Sequence, residues 1–111
     1  MAERLVIPLH PPIFKLTPAQ RDAFIGEYRD QRNHPVVTIF RQGDQLYRKN
    51  TSGEIEELAP ESATVFFYPN GTTFYTRITF ERDSQGHVNS AILHDDRHEE
   101  RWERHPLPGT R

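Results

Sequence analysis

The sequence predicts an all-β fold, a small antiparallel β-barrel of seven to eight strands with one short N-terminal helix. Three observations predict it. Short runs rich in β-branched and aromatic residues recur at intervals of about ten residues, separated by Gly, Asn, Asp and Pro turn signals. Residues 74–81 alternate apolar and polar side chains with a period of two. A helix-capping motif occurs once, before these runs begin.

The length and composition indicate one folded domain over residues 1–111. The chain has 34% hydrophobic residues and 11% aromatic residues. That supply is modest, so we expect a thin core in which the aromatic rings provide much of the buried surface.

Residues 1–16 are predicted to form an extended lead-in, because Pro8, Pro11 and Pro12 are incompatible with a helix or an inner strand. A helix over 18–25 follows. Thr17 is a suitable N-cap, Pro18 suits the first helical position, and Gln20 completes a capping box. Gly26 is expected to end the helix.

The remaining chain is predicted to form strands. The best of them places Phe74, Thr76, Ile78 and Phe80 on one face, toward the core. Residues 106–111 are expected to form a flexible tail. The predicted strands cover 36–40, 45–48, 54–58, 64–68, 73–81, 87–94 and 97–104.

The order of several short motifs resembles a known family. It is the lipocalin-like C-terminal domain of bacterial β-lactamase-related and penicillin-binding-protein-like serine hydrolases, a domain of unknown function that also occurs alone. The matching segments are Phe24-Ile25-Gly26-Glu27-Tyr28, Gly43-Asp44-Gln45-Leu46-Tyr47, Leu58-Ala59-Pro60-Glu61-Ser62, the run from Ile78 to Val88, and Leu93-His94.

The resemblance implies an eight-stranded lipocalin-like barrel attached to a catalytic domain. Such a domain shapes access to the active site, supports assembly or binds an unidentified ligand. The proline-rich lead-in and the Asp95-Asp96 turn depart from the family pattern. No catalytic residue is transferred by the resemblance.

Charge and motif content weigh against several classes of function. The net charge is only −2 without a basic stripe, so no nucleic-acid partner is expected. No apolar run approaches the roughly 18 residues of a membrane span, so no membrane partner is expected. There is no cysteine and no Gly-rich phosphate loop, and no cofactor is expected. Without a signal peptide, a complete chain would be cytoplasmic, whereas a fragment of an exported protein leaves the compartment unknown.

Catalytic motifs are also missing, and the prediction is that the chain is not an enzyme. The related hydrolases use a Ser-x-x-Lys nucleophile, but no serine here is followed by lysine three residues later. There is no Gly-x-Ser-x-Gly elbow either, although the spacing of a Ser-His-Asp triad is free.

Two groups of residues are candidate sites. The first is an aromatic lining of the barrel interior that either contacts a small apolar ligand or simply fills the space. It consists of Phe40, Tyr47, Phe66, Phe74, Phe80 and Trp102.

The second group is the polar run 94–100, whose metal-ligand candidates are His94, His98 and Glu100. The favoured interpretation is a charged hairpin end without a metal, since Asp95 and Asp96 suit a turn and the flanking charges alternate.

Together these observations predict a non-catalytic accessory or interaction domain. The expected partner is a hydrolase domain or a second copy of the chain. The alternative is a small-molecule binding protein that takes an apolar ligand into the barrel.

Overall fold

A computed structural model describes residues 12–70, 76–95 and 97–105. It is a closed antiparallel barrel in which each strand pairs with the next along the chain and the last pairs with the first. The predicted all-β class and barrel architecture are therefore confirmed. The elements are α1 (Pro18–Asp22), β1 (Gly26–Arg29), β2 (Pro35–Gln42), β3 (Gln45–Asn50), β4 (Ile55–Pro60), β5 (Val65–Phe67), β6 (Arg77–Arg82), β7 (Val88–His94) and β8 (Glu99–His105).

The helix begins as predicted but is shorter. The Gln20 amide donates to the Thr17 hydroxyl at 3.1 Å, and the Thr17 amide donates to Gln20 Oε1 at 2.8 Å, which completes the capping box. The helix ends at Asp22 rather than near residue 25. The chain turns there because Phe24 enters the core, where it is completely buried.

Gly26 does not end the helix, which corrects the sequence prediction. It opens β1 with a φ of 154°. A Cβ atom at this position would lie 2.9 Å from Nε of Arg104, so the glycine lets the Arg104 side chain lie close to the β1 backbone.

Strand β1 is the strand that the sequence analysis missed. It has four residues, and only Tyr28 among them is apolar and buried, so no alternation marks it. Strand β6 is described from Arg77 onward, and Phe74 lies outside the described residues, as do Asp96 and the tail 106–111. Ile78 and Phe80 do lie on the core face, as predicted.

The barrel has two distinguishable ends. We call the end that carries α1 the helix end. Strand β1 starts beside α1, and successive strands alternate in direction, so the connections 43–44 and 83–87 also lie at this end. The opposite end, with connections 30–34, 51–54 and 95–98, is called the far end.

Short Asx turns close hairpins at both ends. Oδ1 of Asp30 accepts bonds from the amides of Arg32 and His34 at the far end, at 2.9 Å each. At the helix end, Oδ1 of Asp83 accepts hydrogen bonds from the amides of Gln85 and His87. These bonds fix the register of the hairpins that bring the inner residues together.

Candidate functional site

The inner wall near the helix end is a packed aromatic core. The ring of Phe80 lies 4.7 Å from that of Phe24 and 5.5 Å from that of Phe66, and the Phe24 and Phe66 rings are 5.1 Å apart. The Tyr28 hydroxyl donates to the Phe24 carbonyl at 2.9 Å, and burial raises the pKa of this tyrosine. This half of the interior is filled by the protein's own side chains.

Arg104 ties the helix end together from the inner face of β8. Its guanidinium donates to the carbonyls of Ala23 at 3.1 Å, Val88 at 3.0 Å and Ile25 at 2.5 Å. The chain entering the barrel is thereby joined to β7 and β8.

The inner wall near the far end is polar. Arg48 on β3 faces its pairing partner Glu56 on β4, and Nη2 of Arg48 donates to Oε1 of Glu56 at 2.8 Å. The guanidinium also lies over the Tyr68 ring, 5.3 Å from its centroid. Burial raises the pKa of Tyr68 to about 12, so its hydroxyl stays protonated at neutral pH.

Two N–H donors in this half lack an acceptor among the described residues. Trp102 is only 2% exposed, and its indole Nε1 is buried without a hydrogen-bond partner. Nε of Arg48 is likewise buried without one. A buried donor without a partner destabilises the fold by about 1–3 kcal/mol.

The predicted aromatic lining is divided between two faces. Phe66, Phe80 and Trp102 lie inside and are at most 2% exposed. Phe40 and Tyr47 are not interior residues, which corrects that expectation. They pair across β2 and β3 and stack on the outer face with centroids 5.5 Å apart, because their neighbours Ile39 and Leu46 take the inner positions.

The three candidate metal ligands do not converge. His94 pairs with Glu99 on the outer face of the barrel, whereas Glu100 pairs with Leu93 on the inner face. Nε2 of His98 lies 3.9 Å from Oε1 of Glu100. Within the described ranges, no group of three or more His, Cys, Asp or Glu residues is arranged to hold a metal ion.

His94 instead belongs to a polar network across β6, β7 and β8. Its Nε2 lies 3.1 Å from the Thr79 hydroxyl, and its Nδ1 lies 3.0 Å from Oε2 of Glu99. This hydroxyl–imidazole–carboxylate order is also that of a catalytic triad. A second network lies beside it, in which Arg101 and Ser90 both reach Oε1 of Glu81, at 2.6 Å and 2.9 Å.

Two concave regions flank the β1–β2 connection on the outer surface. One measures about 340 Å³ and lies between this connection and the start of β8. The other, about 490 Å³, lies between it and the end of β8. We call the two together the outer groove. Its lining residues carry charges of both signs and include two residues of β8, Glu100 and Arg104, whose side chains lie on the inner face. The full lining is Arg29, Asp30, Gln31, Arg32, Asn33, His34, Glu99, Glu100, Arg101, Glu103, Arg104 and His105.

The sequence analysis missed the inner polar residues Arg48, Glu56 and Tyr68. The signal was present, because Arg48 is two residues from Leu46 and Glu56 is two residues from Leu58, so each shares the inner face with a buried leucine.

Comparison with known proteins places the chain in a family. Residues 15–111 match the family model described as "Domain of unknown function (DUF3471)", and the chain belongs to this family. No curated protein and no solved structure matches it. None of the helices in the described ranges is long and apolar enough to cross a membrane.

Proposed function

We propose that this member of the DUF3471 family is a non-catalytic interaction domain that binds a serine hydrolase of the penicillin-binding-protein-like class. The observation that carries the proposal is the position of the outer groove. It lies on the outside of the barrel, whereas the helix half of the interior is filled by aromatic rings. The motif resemblance to domains attached to such hydrolases supplies the class of partner.

The chemistry of the outer groove suits a protein partner. Charges of both signs line it, and polar surfaces with exposed arginines are typical of transient or inter-domain contacts. The β1–β2 connection that divides it is held by the two amide bonds to Asp30 and by a hydrogen bond from Arg29 to Asn33 at 3.3 Å. A loop fixed in this way presents its charges in one arrangement, which favours specific recognition.

Calorimetric titration of the full chain with an intact serine hydrolase from the same genome tests the proposal. We expect a one-to-one complex and a changed rate of ester or β-lactam hydrolysis by the partner. The charge swap Arg32→Glu with Glu103→Lys keeps the net charge of the chain but reverses the sign of two charges in the outer groove, so the affinity should fall at least tenfold.

The matched control is Asp44→Lys with Lys49→Glu, on the β2–β3 hairpin outside the groove lining, where both residues are exposed. This swap should leave the affinity unchanged. If both swaps weaken binding equally, or if the chain forms only homodimers in sedimentation, a hydrolase-binding groove is ruled out.

The non-catalytic part of the proposal has its own test at Thr79 and His94. The amides near Thr79 belong to the β5–β6–β7 ladder, so the strands offer no ready pair of donors for an oxyanion. We therefore expect p-nitrophenyl acetate hydrolysis by the full chain to be equal for the wild type and for Thr79→Val. A rate that depends on both Thr79 and His94 would make the chain an enzyme.

A further inference from the structure

We propose that the far half of the barrel interior binds a small, uncharged molecule through a carbonyl oxygen, which accepts from Nε1 of Trp102 and Nε of Arg48. This site is separate from the outer groove and does not depend on the proposed hydrolase partner. Three observations carry it: the two buried donors, their shared level in the barrel, and the charges around them.

The two donors belong to side chains on the inner wall. Trp102 lies on β8 opposite the buried Ala91, and Arg48 lies on β3 two residues after the buried Leu46. Each occupies the second inner position counted from the helix end, after Arg104 on β8 and after Leu46 on β3. The wall therefore presents both donors at a similar depth.

The donors need an acceptor that the described residues of the inner wall do not supply. Buried indole and guanidinium N–H groups are normally paired with an acceptor. Nη2 of Arg48 donates a hydrogen bond to Glu56, and this pairing leaves Nε of Arg48 without an acceptor among the described residues. A ligand oxygen at this depth would satisfy donors whose isolation otherwise destabilises the protein.

The surrounding charges select an uncharged ligand. Glu56 balances Arg48, and the inner position of Glu100, opposite Leu93, adds a further negative charge toward the far end. An anionic ligand would be repelled by this excess of carboxylate, and a cation would not match two N–H donors. Amides, esters and ketones remain as acceptors.

The size and character of the ligand follow from the neighbouring side chains. The Phe24, Phe66 and Phe80 cluster occupies the helix half, so the ligand has only the far half available. Ile78, Leu93 and the Tyr68 ring line that half with apolar surface. We therefore infer a compact ligand, either a ring or a short chain, that carries one carbonyl group.

A matched series of ring compounds tests the inference on the full chain. Trp102 is the only tryptophan, so the indole N–H gives one signal in a ¹H–¹⁵N spectrum. Benzamide should shift this signal in a saturable way, with an affinity of about millimolar for a compound of this size. Toluene, which has no acceptor, should bind about tenfold more weakly. Benzoate and benzylamine should also bind more weakly than benzamide.

Substitutions at the two donors separate their roles. Arg48→Lys keeps the charge opposite Glu56 but removes the Nε–H donor, so it should weaken benzamide about tenfold while the Trp102 signal remains observable. The control Arg101→Lys, on the outer face, should bind benzamide as the wild type does. Trp102→Phe should lose the preference for benzamide over toluene, measured from the amide signals of Leu93 and Ala91.

Several outcomes would overturn the inference. No shift of the Trp102 signal with any of the four compounds at their solubility limits would remove the site. Equal affinity for toluene and benzamide would make it an unspecific apolar space. Tighter binding of benzoate would contradict the argument from charge. A strong water cross-peak to the indole N–H that benzamide does not displace would assign the donor to a structural water.

Discussion

The two halves of the barrel interior are built on different principles. Near the helix end, four aromatic rings contact one another, and Arg104 and Tyr28 give their donors to backbone carbonyls. Near the far end, an arginine–glutamate pair, a tyrosine and a tryptophan share the wall, and Nε of Arg48 and Nε1 of Trp102 lack acceptors among the described residues. A third such donor, Nε of Arg21, lies on α1. The first half has the character of a stabilising core. The second keeps polar groups that a core would replace, which is why we assign a ligand to it.

The largest effect is expected in the aromatic core. Phe80→Ala removes a ring that contacts Phe24, Phe66 and Tyr28, so the free energy of unfolding should fall by about 3–5 kcal/mol in urea denaturation. Phe40→Ala, on the outer stack, should lower it by no more than about 1.5 kcal/mol. Equal losses would mean that inner and outer aromatic residues contribute alike.

A smaller loss is expected at the base of the same half. Arg104→Ala leaves the carbonyls of Ala23, Ile25 and Val88 without their donor, so we expect a loss of about 2–4 kcal/mol in the same denaturation experiment. Arg101→Ala, which removes an exposed pair with Glu81, serves as control and should change stability by less than about 1 kcal/mol. If Arg104→Ala matches its control, the guanidinium does not hold the helix end together.

These two halves also differ in how far the sequence predicts them. The turn spacing and the alternation around Ile78 and Phe80 predicted the barrel and its aromatic core, because burial of apolar side chains leaves a period of two in the chain. In the far half, Ile78 and Trp102 were predicted to face inward, but the pair Arg48 and Glu56 was not, because both are polar and their burial depends on a partner that lies on another strand. The sequence predicted a barrel but not strand β1, because Tyr28 is its only buried apolar residue and Gly26 is explained only by the distant Arg104.

At the far end, removal of a donor should change stability little. Trp102→Phe deletes the unpartnered N–H, which should raise stability, and part of a buried ring, which should lower it. The two effects should leave the free energy of unfolding within about 1 kcal/mol of the wild-type value. Thermal and urea denaturation of the ligand-free protein measure this. A loss of about 3 kcal/mol or more would show that the far half is as tightly packed as the helix half.

The charged rim of the far end should contribute less still. His98 and Glu100 are 3.9 Å apart and substantially exposed, so the double change His98→Ala with Glu100→Ala should alter stability by no more than about 1 kcal/mol. Zinc should not raise the melting temperature of the wild type. If saturating zinc stabilises it and the double variant loses that response, the rim is a metal site.

The smallest effects concern the hairpin turns, where the two ends use the same device. Asp30 at the far end and Asp83 at the helix end each have a pKa held below the usual aspartate value, chiefly by a backbone hydrogen bond, from His34 and from His87 respectively. Because the folded-state pKa is lowered, each carboxylate stabilises the fold above the unfolded-state pKa of about 3.9, and the stabilisation is lost as pH falls through the folded-state value.

Asp30→Asn and Asp83→Asn keep the turn acceptor but cannot titrate. The stability difference between the wild type and each variant should therefore be greatest above about pH 5 and shrink toward about pH 2. Urea midpoints across this range measure it. If the stability difference depends on pH in the same way for both variants, the two ends differ only in the barrel interior. If only one variant shows the pH dependence, the hairpin turns of the two ends differ as well.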